Sequence, residues 1–257
     1  MAGSPIAIGV DVGGSGIKVA AVDIVTGQLA SDRLRVATPN PSTPEAVCAS
    51  ITRLVKRVST AVKNTGAPVG VGIPSVVIGS VSLTAANIDK GWEGFDADRH
   101  LTALLKRDVI VLNDADAAGL AEMRFGAGRD KAGVVLLLTL GTGVGSGLFV
   151  DGKLVPNTEL GHMEIRGRDA ERRSAAAARV RRGLSWKAWA SDLDEHLHAI
   201  DRILWPNLII LGGGVSKRGD RYLPRLTVRP PVVTAELLND AGIVGAALAA
   251  AERFEVA

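Results

Sequence analysis

The chain has 257 residues, enough for two lobes of about 100 to 150 residues each, and 47% hydrophobic with 22% charged residues excludes a disordered or fibrous protein. A net charge of +3 hints at an anionic partner without requiring nucleic acid, and 4% aromatic residues leave few platforms for stacked bases, so no nucleic-acid partner is expected. No run approaches the roughly 20 apolar residues of a membrane span, no signal-peptide pattern opens the chain, and the single cysteine, Cys48, can build neither an internal disulfide nor a zinc cluster; a cytoplasmic protein off the membrane is expected, with Cys48 in a helix core.

Residues 6–12, 18–24 and 29–36 predict three strands, the first two joined by Asp11-Val-Gly-Gly-Ser-Gly-Ile-Lys18. Three glycines in four residues can turn with positive φ and present N–H groups to a phosphate, and they suit a tight hairpin turn equally well. A carboxylate at Asp11 would repel a phosphate unless a cation intervened, which suggests a divalent metal held mostly through water. The proline-rich residues 38–44 break the sheet and end on a helix start signal at Ser42 or Thr43. Val47, Ile51, Leu54, Val55, Val58 and Val62 then recur at helical spacing up to Lys63.

Short strands follow at residues 69–73 and 81–85, a helix at 96–106, and a strand at 109–112 that ends on Asn113-Asp114 before a helix at 115–125. Such a strand-to-helix junction is where an α/β fold places working residues, although a helix N-cap would also account for Asp114. Further strands are predicted at 134–140, 146–150 and 153–155, then an arginine-rich segment at 166–182 and a helix at 185–204. A buried strand at 208–211 opens into Gly212-Gly-Gly214, and a helix at 241–253 closes the chain.

Both halves begin with a glycine-rich hairpin, at Gly13 to Gly16 and at Gly141 to Gly147, which suggests a duplicated α/β unit with a cleft between the copies. The expected division is residues 1–112, joined by the closing helix within 241–257, and residues 113–240. The second loop, Leu140-Gly-Thr-Gly-Val-Gly-Ser-Gly147, carries alternate glycines and two hydroxyls; a strand with close backbone approach is its plain structural reading. Its spacing is not that of a dinucleotide fingerprint. Residues 147–154 fit a P-loop except that Leu154 stands where a Ser or Thr would hold the metal, and Asp151-Gly152 reads as a hairpin turn.

The motifs Asp11-Val-Gly-Gly-Ser-Gly-Ile-Lys18, Asn113-Asp114, Leu140-Gly-Thr-Gly-Val-Gly145, Glu159-Leu-Gly-His162 and Leu211-Gly-Gly-Gly-Val215, in this order, resemble the ROK family of sugar kinases and repressors. Its polyphosphate-using glucokinase branch is the most similar. The resemblance covers nearly the whole chain and implies an α/β, two-lobed fold of the actin and hexokinase type (ribonuclease H-like), an ATPase-type architecture with a central cleft. It implies transfer of a phosphoryl group from inorganic polyphosphate and ATP to the 6-hydroxyl of glucose, and of mannose as a further acceptor, with Mg²⁺ as cofactor. A strictly ATP-dependent hexokinase acting on glucose or an N-acetylhexosamine is the alternative; a sugar-sensing repressor would carry a helix-turn-helix domain ahead of the first strand. Monomer and homodimer both stay open.

By the same resemblance Asp114 is the general base that accepts the sugar proton. Asn87, Asn113, Asp114, Glu159 and His162 contact the sugar, while Trp92 beside Asn87 packs. Gly13, Gly14, Ser15 and Lys18 hold the phosphoryl donor from one side and Gly141, Thr142 and Gly143 from the other, with Gly213 and Gly214 near the nucleoside. Asp11 orients the water shell of Mg²⁺.

One departure stands out. Most ROK kinases follow the histidine with three zinc-binding cysteines and a sugar-binding glutamate; here no cysteine follows, so no structural zinc is expected, and the last glutamate is assigned to Glu171, with Glu164 as the alternative. In that place stand Arg166, Arg168, Arg172, Arg173, Arg179, Arg181 and Arg182. Pairing with Asp169 and Glu171 would make them a solvated face, whereas bidentate phosphate binding would let them, with Lys217, Arg218 and Arg221, guide polyphosphate.

Overall fold

The computed structural model describes residues 5–85 and 88–256. Two compact units result: the residues up to Ala121 with those from Asp240 on, and Glu122–Asn239.

In the first unit, β1 (Ile6–Gly13) and β2 (Gly16–Asp23) form a hairpin, followed by β3 (Leu34–Val36) and α1 (Pro44–Ala61). Thr43 caps α1, with Pro44 at its first turn, and Val47, Ile51, Leu54, Val55 and Val58 form its buried stripe. Each such side chain contributes roughly 1.5–3 kcal/mol of burial. Cys48 lies in this stripe, where burial pushes its thiol up to about 12. Next come β4 (Val69–Ile73), the small three-stranded sheet of β5 (Val77–Ile78), β6 (Val81–Ser82) and β7 (Phe95–Asp96), then α2 (Ala97–Leu105), β8 (Val109–Asn113) and α3 (Asp114–Phe125).

The main sheet runs β3-β2-β1-β4-β8, with β1, β4 and β8 parallel. Two predicted strands are shorter than their sequences suggest. The third begins only at Leu34, because Ser31 Oγ takes the Ala21 N–H at 3.0 Å that a ladder partner would have used. Residues 83–85 leave the strand predicted there because hydroxyls of Ser75, Ser82 and Thr84 bond one another and the Thr84 carbonyl instead.

The second unit repeats the plan. A hairpin of β9 (Val134–Leu140) and β10 (Val144–Val150) continues into β11 (Lys153–Val155) through Asp151 and Gly152, both at left-handed φ. The arginine-rich segment does not run as one element: residues 164–182 form β12 (Glu164–Ile165) and β13 (Arg168–Asp169), then the short helices α4 (Glu171–Ser174) and α5 (Ala176–Arg181). After α6 (Trp186–Leu204) come β14 (Leu208–Gly212) and β15 (Val232–Thr234), which the sequence pattern did not reveal. The sheet order is β11-β10-β9-β14-β15, an antiparallel hairpin edge joined to parallel strands in the same sequence as in the first unit. This matching topology is the internal repeat that the paired glycine loops suggest.

The chain ends with α7 (Ala241–Arg253) on the first sheet. Its backbone lies so close that a Cβ at Gly9 or Gly70 would overlap the carbonyls of Ile243 and Ala246. No helix among the described residues is long and apolar enough to cross a membrane.

Candidate active site

In the first unit the candidate residues gather at the carboxyl ends of parallel strands. Asp11 of β1 is level with Gly72 of β4, and Ile73 with Asn113 of β8. The β1–β2 turn is the residue pair Gly14-Ser15, set between the paired Gly13 and Gly16. None of Gly13, Gly14 and Gly16 is among the glycines of left-handed φ, contrary to the expectation of a positive-φ turn. What the glycines give is room: the Arg35 guanidinium reaches within 2.8 Å of where a Gly16 Cβ would stand. Arg35 Nη2 donates to the Ser15 carbonyl at 3.0 Å and Thr38 Oγ1 to the Gly13 carbonyl at 2.5 Å, so the carbonyls of Gly13 and Ser15 are both held.

Asp11 and Lys18 face each other across this hairpin as a cross-strand pair, with Nζ donating to Oδ2 at 2.7 Å. Gly242, in the first turn of α7, lets that carboxylate approach the helix start, since its Cβ would come within 3.0 Å of Asp11 Cγ. Asn113 is buried and caps α3: its Oδ1 accepts the N–H groups of Ala115 and Asp116 at 2.8 and 3.0 Å, and Nδ2 donates to the Ser75 carbonyl at 3.1 Å. Asp114 stands half-buried as the first residue of α3. Its helix sits close to β4 because Gly72 has no side chain, an added Cβ lying 3.3 Å from the Asp114 Cα. Trp92 is fully buried and donates to the Ser42 carbonyl at 2.9 Å, a packing role. Asn87 lies outside the described residues.

In the second unit Gly141, Thr142 and Gly143 connect Leu140 and Val144, which pair across β9 and β10. The Gly141 N–H donates to the Gly143 carbonyl at 3.0 Å, and the Gly141 carbonyl accepts from Ala177 N at the start of α5. Gly212 of β14 is level with Thr139 of β9, so the Gly212 to Gly214 turn leaves the sheet beside this loop. Gly213, at φ 81°, touches Leu140 so closely that a Cβ would overlap its carbonyl.

Val144 is the meeting point of the rest. Glu171 Oε2 accepts its N–H at 2.9 Å, and the Glu159-Leu-Gly-His162 turn packs on its carbonyl through Gly161. The Leu160 N–H donates to Ser146 Oγ at 3.0 Å, and the buried His196 ring bridges the Leu160 carbonyl and Ser174 Oγ at 3.0 and 2.9 Å. Glu159 and His162 come together at 3.8 Å between Oε2 and Nε2. Burial pushes the Glu159 carboxyl above its usual range; His162 opposes that shift and Glu171 adds to it. Glu164, the alternative to Glu171, is exposed on β12, opposite Asp169 of β13.

Asp169 belongs to this cluster although no motif marks it: Oδ2 lies 3.3 Å from His162 Nδ1, and ligand atoms of His162, Asp169 and Glu171 fall within 4.8 Å of one another. Its placement comes from the β12–β13 hairpin, which a sequence window does not reveal.

Most of the arginines are engaged, and not with Asp169 or Glu171. Arg166 pairs with Glu195 at 2.7 Å, Arg173 with Asp192 and Glu195, and Arg182 with Asp192 at 2.6 Å. Arg179 stacks 4.0 Å over Trp186, and Arg181 donates to the Arg172 carbonyl at 3.2 Å. Glu195, Asp192 and Trp186 lie on α6 and Arg172 on α4, so the arginines anchor the helical turns that carry Glu171.

The chain belongs to the ROK family, whose model matches residues 7–175. Its fold is the two-domain α/β fold of the actin and hexokinase type. It is 48% identical over 242 residues to a polyphosphate glucokinase of Mycobacterium tuberculosis (strain CDC 1551 / Oshkosh), covering 94% of this chain and 89% of that one. Among solved structures, an inorganic polyphosphate/ATP-glucomannokinase from Arthrobacter sp. strain KM matches with TM-score 0.94 and 49% identity, over 97% of this chain and 99% of that one. A ROK glucokinase from Streptomyces griseus in complex with glucose and AMPPNP matches with TM-score 0.84 and 26% identity, over 96% and 99%.

Proposed function

We infer that this chain transfers a phosphoryl group from inorganic polyphosphate, and from ATP, to the 6-hydroxyl of glucose, with mannose as a further acceptor. The observation that carries this reading is the 48% identity across 94% of the chain to a polyphosphate glucokinase. The glucomannokinase likeness supports the donor pair and the second acceptor.

Asp114 serves as the general base. Its carboxylate takes the proton of the 6-hydroxyl as that oxygen bonds to the terminal phosphorus; the bond from phosphorus to the remaining donor breaks, and shortened polyphosphate or ADP leaves with the electron pair. Asn113, by capping α3, fixes the backbone that aims Asp114 and keeps one amide proton for a sugar oxygen. Glu159, His162 and Glu171, together with Asn87, take the other hydroxyls.

Gly13, Gly14, Ser15, Lys18, Gly141, Thr142 and Gly143 receive the donor's phosphates, with Gly213 and Gly214 toward the nucleoside of ATP. Lys18, although bonded to Asp11, keeps two further N–H donors. For Mg²⁺ the fit is indirect: Lys18 already balances the Asp11 charge, so the carboxylate would hold the ion's water shell through Oδ1. When bound, the ion spreads the charge that develops on the donor. Guidance of polyphosphate falls to Arg168, Arg172, Lys217 and Arg218, which are exposed.

A coupled glucose 6-phosphate assay with polyphosphate and with ATP, on wild type and Asp114→Asn, tests the reading. Turnover with both donors, lowered by roughly 10²- to 10⁴-fold in the variant, is expected; use of ATP alone would establish the strictly ATP-dependent alternative, and an undiminished variant would overturn the role of Asp114.

A further inference from the structure

His162 is drawn into the cluster by both ring nitrogens. Nδ1 lies 3.3 Å from Asp169 Oδ2, and Nε2 lies 3.8 Å from Glu159 Oε2. A neutral imidazole carries one proton, and the bond made by one nitrogen decides the role of the other.

Asp169 is not brought here by chance of a loose loop. Ile165 and Arg168 pair across β12 and β13, which leaves Arg166-Gly167 as a two-residue turn. Both turn residues have left-handed φ, 55° and 74°, the conformation of a type I′ hairpin that follows the twist of its strands. The ladder continues past Asp169, with Ala170 N donating to the Met163 carbonyl at 2.8 Å, one residue beyond His162. The Asp169 side chain is thereby locked in register against the His162 ring.

We propose that Asp169 is a positioning residue of the sugar site, holding His162 in the Nδ1–H tautomer so that Nε2 and Glu159 together present acceptors to neighbouring hydroxyls of the substrate. The inference rests on the reading of His162 as a sugar contact. A carboxylate can only accept from Nδ1, which fixes the proton there and leaves the Nε2 lone pair on the side of Glu159. Sugar hydroxyls can then donate one to each. With the proton on Nε2, the ring would instead donate to Glu159, and the two intended ligands would satisfy each other.

The tautomer is read directly from long-range ¹H–¹⁵N spectra of the chelator-treated protein at about pH 8.5, where imidazoles are neutral, with His162 assigned by comparison with His162→Ala. The wild type and Asp169→Asn, whose amide oxygen still accepts, should show Nδ1–H; Asp169→Ala should show Nε2–H. In steady-state kinetics Asp169→Ala should raise the glucose KM about ten-fold, the worth of about one hydrogen bond, while kcat and the polyphosphate KM stay within about two-fold. Asp169→Asn should restore most of the affinity.

A wild-type ring protonated on Nε2 overturns the inference without need of any variant. A raised glucose KM in His162→Ala beside an unchanged one in Asp169→Ala overturns it alone and leaves the sugar role of His162 standing. An unchanged KM in His162→Ala sinks that role and the inference together.

Discussion

The Glu171 carboxylate accepts the backbone N–H of Val144 at 2.9 Å and fills the space that a side chain on Gly143 would need. The residue assigned to the sugar thus also holds the end of the glycine loop assigned to the donor. The elements assigned to sugar and donor in the second unit share one carboxylate, and α6 keeps it in place through Asp192 and Glu195.

Gly143→Ala should expose this arrangement. The added methyl overlaps Glu171 Oε2, and overpacking of this kind costs about 1–3 kcal/mol. Thermal unfolding should show the loss in the wild-type background and a smaller one beside Glu171→Ala, where the methyl has room. Equal losses in both backgrounds would place the strain elsewhere.

The pH dependence of glucose affinity should follow Glu159. Its carboxyl titrates above the ordinary 4.5, chiefly through burial, so as pH falls it takes up a proton, loses its charge and turns one acceptor oxygen into a donor while an ordinary glutamate would still be ionised. The glucose KM should therefore rise on the acid side at a pH above that ordinary value. Because Glu171 adds to the shift, Glu171→Gln should move the rise to lower pH, measured from KM profiles of the two proteins.

Folding stability should respond to His196. The ring is buried and its pKa is lowered, first by burial, with the Leu160 bond opposing. The unfolded chain then binds a proton more readily than the folded one, so the stability held above the ordinary 6.5 declines as pH falls from there toward the lowered value. Melting temperatures between neutral and mildly acidic pH should fall in the wild type and fall less in His196→Gln.

Neighbouring residues at the start of α3 should separate structure from chemistry. Asn113→Ala removes a cap and a buried bond to Ser75 and should cost about 0.5–2 kcal/mol in a denaturant melt. Asp114→Asn should leave the melt close to wild type and lower kcat by roughly 10²- to 10⁴-fold, the usual worth of general base catalysis.

Local pattern alone determined much of this protein. Period and spacing mark α1, α6 and the buried parallel strands, the two glycine hairpins announce the repeated sheet, and the motif order points to the family. These signals are short-range, set by which face a residue turns to the core and by what a tight turn tolerates. Tertiary structure decided the rest, because it depends on partners distant in sequence. Arg173 and Arg182 look like a free phosphate-binding arm until α6 brings Asp192 to them. Gly16 looks like a turn residue until Arg35 lies over it. Asp169 carries no motif, and only the hairpin that folds β13 back on β12 sets its carboxylate against the His162 ring.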